Sequence, residues 1–447
     1  MKAIANFFDK IAQRYLPDAF IFAVVLTLIV FAMGVAFEEQ SPVKMVQYWG
    51  EGFWGLLAFA MQMALVVVTG YVLANTPLVK GVLEKISGYA RTGPQAIMLV
   101  TVVAMIGSLI NYGFGLVVGA LIAIEVAKKV PNVSYRLLVA SAYSGYLIWH
   151  GGLSGSVPLL IATDGHFLMD TMGVVPVVET IFSNFNIFIV VTIFLTLPIV
   201  NRLMYKKSEV ADYTPIKMDI SQYSSISESS TIDTLANSDL HTFAERMENS
   251  KIISMLIGLL GLSFVVYHFA TKGFDLNLNI VNFIMLFLGI ILHRTPRKFL
   301  ECVSEGSKNA SGIIIQFPFY AGIMGMMIHS GISESMSLWF VQISNEFTFP
   351  FFAFISAGIV NFFVPSGGGQ WAVQGPIMIP AGIELGVDVA KTAMAVAWGD
   401  AWTNMVQPFW TLPLLAIAGL KVKDIMGFCA VVLIYSFFPI TIGLLFF

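Results

Sequence analysis

The sequence predicts an all-α polytopic membrane protein built from two inverted-topology repeats, each with a re-entrant helical hairpin and a broken transmembrane helix. Three observations predict this fold: few charges, long uncharged apolar segments, and motifs that recur within the chain. Of the 447 residues, 57% are hydrophobic and 11% are charged, whereas a soluble domain carries about 25% charged residues. So few charges cannot cover a water-facing surface, which excludes an ordinary soluble enzyme.

Nine apolar segments are interpreted as membrane crossings, because a membrane helix needs roughly 20 apolar residues. Seven are continuous, at 19–37, 53–74, 181–201, 252–270, 276–292, 309–328 and 425–447. Two others, 137–163 and 392–420, are interrupted by polar residues and are predicted to be broken spans. Segments 96–127 and 347–386 have glycines at their middle, and we predict that they are re-entrant hairpins.

The distribution of Lys and Arg predicts the orientation of the chain, since cytoplasmic loops are enriched in these residues. With nine crossings and two hairpins, all but three of the 24 Lys and Arg residues fall on the side of the N-terminus. The exceptions are Lys44, Lys272 and Lys391. The N-terminus is therefore predicted to be cytoplasmic and the C-terminus periplasmic.

Motifs recur at a nearly constant offset. Glu51-Gly52, with a glutamine eleven positions after the glutamate, recurs 254 residues later as Glu305-Gly306, again with a glutamine eleven positions on. Asn111 and Asn361, each within a predicted hairpin, follow at nearly the same offset. Inverted repeats with broken helices are typical of secondary transporters.

These observations divide the chain into a first repeat at 1–204, a cytoplasmic polar linker at 205–251, a connecting span at 252–270 and a second, inverted repeat at 271–447. The linker is serine-rich and is predicted to be largely disordered, with an amphipathic helix near Leu240–Met247. Its role is left open between a regulatory loop and a tether that joins the two halves.

Polar residues within the breaks are the candidate site, because irregular backbone at membrane depth survives only where it is buried or lines a cavity. The breaks offer hydroxyls, amides and helix N-termini but no Arg or Lys, so an anion would be held by helix dipoles and backbone N–H groups. Alternatively, the glycines only permit a tight hairpin tip. The candidate substrate-binding residues are Asn111, Ser154, Ser366, Gly367, Gly368, Gly369, Gln370, Thr403, Asn404 and Gln407.

Asp400 is the only acid deep within a predicted span, and such a residue is a functional hypothesis by default. It is predicted to bind a proton or to help hold a sodium ion, or else to be a hydrogen-bonded structural acid. His150 lies in the matching broken span and is either a proton carrier or a core histidine packed beside Trp149. The candidate residues for cation coupling are Asn111, His150, Ser156, Asn361 and Asp400.

Other function classes find little support in the sequence. Cys302 and Cys429 lie far apart without metal-ligand spacing, and there is no basic patch for nucleic acid. His150 and Asp400 could pair and Ser154 or Ser366 could act as a nucleophile, but no GxSxG or HExxH motif occurs. We therefore predict a non-enzyme that needs no cofactor other than a coupling Na⁺ or H⁺.

Eight motifs carry a family resemblance that covers nearly the whole chain except the linker. They are Leu16-Pro-Asp18, Trp49-Gly-Glu-Gly-Phe-Trp54, Phe59-Ala-Met-Gln-Met-Ala64, Gly113-Phe-Gly-Leu-Val-Val-Gly119, Gln316-Phe-Pro-Phe-Tyr-Ala-Gly322, Val364-Pro-Ser-Gly-Gly-Gly369, Gln374-Gly-Pro376 and Gln407-Pro-Phe-Trp410. The chain resembles the AtoE-type short-chain fatty acid transporters, which are grouped with the ion transporter superfamily. The resemblance implies a carrier in the bacterial inner membrane for acids such as acetoacetate or butyrate.

The resemblance also implies a homodimer that works by an elevator motion, with sodium and carboxylate sites at the hairpin tips. Carried onto this chain, it implies Na⁺ near Asn111, Gly151 and Ser154, and near Asn361, Thr403 and Asn404. The dicarboxylate carriers of the superfamily have Ser-Asn-Thr at both tips, whereas this chain has Ile-Asn-Tyr at 110–112 and Val-Asn-Phe at 360–362. The missing hydroxyls leave room for proton coupling through Asp400.

The sequence therefore predicts an elevator-type, cation-coupled symporter of small monocarboxylates in the lipid bilayer. Spans 19–37, 53–74, 276–292 and 309–328 are predicted to form a stationary scaffold. Trp402, Phe114 and Trp371 are predicted to form an apolar wall for the substrate. The alternatives are a sodium-coupled carrier of another small carboxylate and a carboxylate channel.

Overall fold

The structure is a computed structural model, and it describes residues 19–130, 133–205, 242–407 and 409–447. These residues form helices and turns and contain no strand. The predicted all-α class is therefore confirmed for this part of the chain. Most of the predicted polar linker lies outside the described residues.

The described residues of the first half contain ten α-helices. They are α1 (Ala19–Ala36), α2 (Pro42–Gly52), α3 (Leu57–Ala74), α4 (Pro77–Ser87), α5 (Gly93–Ile110), α6 (Tyr112–Lys129), α7 (Tyr135–Ser144), α8 (Ser156–Ile161), α9 (Met169–Met172) and α10 (Asn184–Leu203). A 3₁₀ helix at Gly145–Gly151 follows α7 directly. The predicted broken span thus consists of α7, the 3₁₀ helix, a turn and α8.

The rest of the described chain contains eleven α-helices. They are α11 (Phe243–Glu248), α12 (Lys251–Lys272), α13 (Leu278–His293), α14 (Pro296–Ser307), α15 (Ser311–Ser330), α16 (Ile332–Ile343), α17 (Phe349–Val360), α18 (Gly367–Glu384), α19 (Val389–Thr403), α20 (Thr411–Ala418) and α21 (Val422–Phe446). Helix α11 lies where the amphipathic linker helix is predicted. The second broken span consists of α19, a turn and α20.

The order of helices in the first half recurs in the second. Helices α2 to α8 correspond in turn to α14 to α20, and their first residues are offset by 254 to 256 positions. The packing is reciprocal as well: α3 packs against α13 and α14, whereas its counterpart α15 packs against α1 and α2. This arrangement is the one that a two-fold relation between the halves produces, although the inversion of the second half stays a prediction.

Glycines allow the closest of these helix contacts. A Cβ atom on Gly52 of α2 would lie 2.9 Å from the carbonyl oxygen of Ala321 and 3.0 Å from the Cα of Gly325, both in α15. Small residues at a crossing let two backbones approach in this way. In the other half, Gly306 of α14 packs against the Tyr71 ring of α3. The recurring Glu-Gly motif therefore marks equivalent helix crossings.

The two predicted hairpins differ in how their arms pack. In the first, α5 and α6 pack along each other on either side of Asn111. In the second, α17 packs mainly against α19, and the arms α17 and α18 make few contacts with each other. Both breaks occur where the sequence predicts them. The second hairpin is more open than the first, a difference that the recurring motifs do not predict.

Six helical segments of the described chain are long and apolar enough to cross a membrane. They are Leu57–Ala74, Gly93–Ile110, Asn184–Leu203, Lys251–Lys272, Pro296–Ser330 and Val422–Phe446. Shorter apolar helices occur at Phe20–Ala36, Leu278–His293 and Phe349–Val360. The count of nine crossings and the orientation of the termini stay predictions.

Candidate functional site

The tip of the second hairpin meets the break of the first broken span. A Cβ atom on Gly367, the first residue of α18, would lie 2.5 Å from His150 Cε1 and 2.7 Å from Ser156 Oγ. The α18 backbone therefore lies directly against the 3₁₀ helix and the start of α8. The structure thus brings together Gly367, His150 and Ser156, which the sequence places in different halves of the chain.

Ser366 determines how α18 begins. Its backbone is extended, and its Oγ accepts a hydrogen bond from Gly369 N at 3.4 Å. Gln370 N donates to Ser366 O, so that the first intrahelical bond is in place. The first N–H groups of a helix have no intrahelical acceptor. Because α18 has 18 residues, its N-terminus also carries the positive end of the helix dipole.

The next two glycines face aromatic rings. A Cβ atom on Gly368 would lie 2.6 Å from Phe59 Cζ and 3.4 Å from Phe317 Cζ, and one on Gly369 would lie 2.5 Å from Tyr320 Cδ2. Phe59 belongs to α3, and Phe317 and Tyr320 belong to α15. The tip therefore has a polar side at His150 and Ser156 and an apolar side formed by the two long helices.

His150 and Asp400 form a buried pair that joins the two broken spans. His150 Nδ1 lies 2.7 Å from Ala397 O and 3.3 Å from Asp400 Oδ2. A carbonyl oxygen only accepts, so these contacts assign the proton of the neutral ring to Nδ1. His150 Nε2, 2.9 Å from Ser156 Oγ, then accepts from the hydroxyl. The Trp149 ring stacks on the imidazole at 3.7 Å between ring centroids, as the core-histidine alternative predicts.

Asp400 is 1% exposed, and only one of its two carboxylate oxygens has hydrogen-bond partners in the described part of the chain. Its Oδ2 accepts a hydrogen bond from Asn404 Nδ2 at 3.3 Å. Its Oδ1 is buried and has no hydrogen-bond partner among the residues that the structure describes. A buried acceptor without a partner costs free energy, which a bound proton or cation would offset.

The amide of Asn361 lies among three oxygen atoms at the second break. Asn361 Nδ2 is 3.0 Å from Asp400 O, 3.0 Å from Thr403 Oγ1 and 2.8 Å from Asn404 Oδ1. The residues of the second predicted sodium site therefore converge, with a nitrogen between their oxygens. In the described chain, no group of three or more His, Cys, Asp or Glu residues has the arrangement of a metal site.

The residues of the first predicted sodium site bind the tip of the first hairpin to the broken span. Asn111 Oδ1 accepts from Phe114 N at 2.9 Å, and Asn111 Nδ2 donates to Val66 O. Ser154 Oγ accepts from Tyr112 N at 2.8 Å, and Gly151 O accepts from the side chain of Asn186. These oxygens already accept protein hydrogen bonds, and a sodium ion at this position stays a prediction.

Gln370 and Gln407 lie in local hydrogen-bond networks. Gln370 Nε2 donates to Ala357 O at 2.8 Å and to Gln374 Oε1 at 2.7 Å, and so connects α18 to α17. Gln407 Oε1 accepts from Phe409 N within its own turn. In this structure, both side chains support the shape of the breaks.

The aromatic rings next to Gly368 and Gly369 are not those of Trp402, Phe114 or Trp371, and the apolar wall predicted for these three stays a prediction. Trp402 packs against Phe354 and Phe437 and donates its Nε1–H to Leu433 O. Trp371 is buried within α18. The rings nearest the tip glycines belong to Phe59, Phe317 and Tyr320. The sequence analysis did not select these three residues, although all of them lie in motifs that carry the family resemblance.

The family model for short chain fatty acid transporters matches residues 1–447 of this chain. The chain belongs to the short-chain fatty acid transporter family. It is 44% identical over 442 residues to a protein of Escherichia coli (strain K12) named as a short-chain fatty acid transporter, a match that covers 99% of this chain and 98% of the relative. A relative of the same name in Haemophilus influenzae is 43% identical over 450 residues, and the match covers 99% of each chain.

Solved structures show that the fold occurs in other transporters. The YdaH transporter of Alcanivorax borkumensis has a TM-score of 0.62 at 14% identity, covering 96% of this chain and 97% of that chain. MtrF of Neisseria gonorrhoeae, assigned to a class of antimetabolite efflux pumps, has a TM-score of 0.50 at 14% identity over 98% and 97% of the two chains. These neighbours show the fold alone. Family membership identifies this chain as a multi-pass transporter of the bacterial inner membrane.

Proposed function

We propose that this protein is a cation-coupled symporter of short-chain monocarboxylates such as acetoacetate and butyrate. The observation that carries the proposal is the contact between the N-terminus of α18 and the His150–Ser156 break. Backbone N–H groups and the helix dipole favour a carboxylate at such a terminus. Ser156 adds a hydroxyl to the same surface.

The buried carboxyl group of Asp400 supports cation coupling. The side chains nearest the tip glycines, apart from Ser366, are His150, Ser156, Phe59, Phe317 and Tyr320, so none of these described neighbours is a Lys or Arg. A substrate carboxylate would therefore add a second negative charge near Asp400 in a low-dielectric interior, which is costly without a compensating charge. A cation that binds together with the substrate removes this cost.

Two coupling ions fit the residues. A proton could be held by Asp400 Oδ1, which has no hydrogen-bond partner among the described residues, or by His150 Nε2 if the Ser156 hydroxyl turned its hydrogen away. A sodium ion could be held by the oxygens of Asp400, Thr403 and Asn404, if the Asn361 amide turned its nitrogen away. Separately imposed Na⁺ and H⁺ gradients distinguish the two ions.

The proposed motion is an elevator movement of the hairpins and broken spans against a scaffold of α1, α3, α13 and α15. The reciprocal packing of these four helices across the two halves supports a compact scaffold. Because Phe59 and Phe317 belong to scaffold helices and Gly368 to the moving part, the substrate would bind at the boundary between them. A homodimer joined through the scaffold completes the proposal.

Uptake of labelled butyrate and acetoacetate into proteoliposomes tests the function, with a Na⁺ gradient and an H⁺ gradient imposed separately. We expect saturable accumulation above equilibrium that one of the gradients drives. If the protein accumulated a different carboxylate and neither butyrate nor acetoacetate, the result would favour a sodium-coupled carrier of another small carboxylate. Non-saturable flux that ignores both gradients would contradict a symporter and favour a channel.

A further inference from the structure

We propose that Phe59, together with Phe317 and with Phe167 in the loop after α8, sets the acyl chain length that the protein accepts. This inference rests on the proposed function, since it assumes that the carboxylate binds at the α18 N-terminus. It assigns an acyl wall to residues of α3 and α15, where the sequence predicted Trp402, Phe114 and Trp371.

The geometry of the tip matches a molecule with a polar head and a short apolar tail. Gly367 faces His150 and Ser156, whereas Gly368, the next residue, faces the Phe59 and Phe317 rings. Because Gly367 and Gly368 are successive residues, with Cα atoms about 3.8 Å apart, the polar and apolar sides lie on adjacent residues of one helix. A carboxylate and a short acyl chain of one molecule would therefore meet both sides.

Phe59 and Phe317 are held in place by their neighbours. They are 5% and 1% exposed, and their rings meet edge to face with centroids 5.5 Å apart. The Phe317 ring in turn contacts Tyr320 at 6.0 Å. A longer acyl chain would have to displace these rings from a packed interior, which is costly.

The loop after α8 supports Phe59 from the other side. Phe167 lies with its ring centroid 6.3 Å from that of Phe59. Its neighbour Leu168 is buried against Gly375 of α18, where a Cβ atom would lie 2.6 Å from Leu168 Cδ1. The loop therefore contacts both a predicted scaffold helix and the helix that carries the tip.

His166 fixes the conformation of this loop. Its Nε2 lies 2.8 Å from Gly173 O and must donate to it, whereas its Nδ1 accepts from Leu168 N. Burial lowers the pKa of His166, which keeps the ring in the neutral form that these two bonds require. Val175 N donates to Ile161 O, which ties the end of the loop back to α8. Phe167 is thus held against Phe59 by a loop of fixed shape.

Competition by acids of increasing chain length, from acetate to octanoate, against labelled butyrate uptake in proteoliposomes tests the assignment. The quantity compared is the ratio of the inhibition constants for hexanoate and butyrate within each preparation, because it is independent of the fraction of folded protein. We expect the wild type to prefer butyrate. Phe59→Ala should shift the ratio about tenfold or more towards hexanoate, since one methylene in an apolar pocket is worth roughly 10–200-fold in discrimination. Phe167→Ala should shift it in the same direction by less.

Phe59→Leu keeps much of the packing and serves as a second variant if Phe59→Ala does not fold. Phe274→Ala is the matched control, because Phe274 is exposed in another loop, where its described ring contacts are with Phe182 and Phe269 and with none of the rings at the tip. An unchanged ratio in both Phe59 variants would overturn the assignment while leaving the proposed function intact. A wild type that shows no saturable butyrate uptake would instead overturn the proposed function itself.

Discussion

Gly367, Gly368 and Gly369 face three different surroundings within a single turn of helix. Each lies so close to its neighbours that a Cβ atom would come within 2.7 Å of another side chain. The glycines are therefore needed for close approach of the α18 backbone to the break, and not only for a tight tip. The binding interpretation of the Gly-rich segment stays a prediction.

Asp400→Asn tests the residue proposed to couple the cation. Asparagine keeps the size of the side chain and removes the charge, so that substrate binds without a compensating cation. We expect gradient-driven accumulation of butyrate to be lost, whereas exchange of internal for external butyrate persists. Both are measured in the same proteoliposomes. Full gradient-driven accumulation by the variant would show that Asp400 has no coupling role.

At the residue scale, the sequence singled out the polar residues at the breaks but not the aromatic rings that lie against the tip glycines. Asn361, Asp400 and His150 are recognisable because polar residues inside an apolar span are energetically costly and therefore rare. Phe59 and Phe317 are two of 37 phenylalanines. In a membrane helix, lipid-facing and interior positions are both apolar, so that composition does not separate them.

The breaks in the helices are held by side-chain amides. Asn111 caps α6 through Phe114 N, and Asn361 connects the end of α17 to the end of α19. An amide in such a position satisfies backbone groups that a broken helix leaves without partners. The two asparagines recur because each half contains one such break.

Asn361→Ala should therefore destabilise the protein. The substitution removes the donor to Asn404 Oδ1, and a buried group left without a partner costs about 1–3 kcal/mol. We expect a clearly lower melting temperature of the detergent-solubilised protein. Asn249→Ala is the control, because Asn249 bonds only within its own short helix region, to Glu245 O. Equal melting temperatures for Asn361→Ala and Asn249→Ala would contradict this role.

At the element scale, the positions of the breaks followed from polar residues and glycines within apolar segments. The separation between the two arms of the second hairpin could not be predicted from the sequence, because it depends on how α17 packs against α19. Gly399 of α19 approaches the α17 backbone, where a Cβ atom would lie 2.3 Å from Phe354 O. Such a pairing between distant segments leaves no periodic signal in either one.

The whole molecule is organised by its internal repeat. Helices recur in order, and the second helix of each recurring set, α3 or α15, packs across the boundary between the halves. The recurring Glu-Gly motif pointed to this organisation from the sequence. The direction in which each helix crosses the membrane depends on the bilayer, and it rests on the charge distribution.

Cysteine labelling tests the predicted topology. In a variant without Cys302 and Cys429, single cysteines replace Lys80, Lys423 or Lys272. In intact cells, a membrane-impermeant maleimide should label the cysteine at position 272 but not those at positions 80 and 423. After the membrane is permeabilised, it should label positions 80 and 423 as well. If positions 80 and 423 are found on opposite faces, the predicted arrangement of nine crossings and two hairpins is wrong.

We propose that the N-terminus of α18 binds the substrate carboxylate. Equilibrium binding of labelled butyrate to the purified protein tests this proposal most directly. Gly367→Ala places a methyl group against His150 and Ser156. Gly81→Ala is the matched control, since a Cβ atom on Gly81 meets no heavy atom within 4 Å. We predict saturable binding that Gly81→Ala leaves unchanged and Gly367→Ala weakens by about tenfold or more, the loss expected when a hydrogen bond to a charged group is removed. Equal affinities of the Gly367→Ala variant and the wild type would contradict the claim.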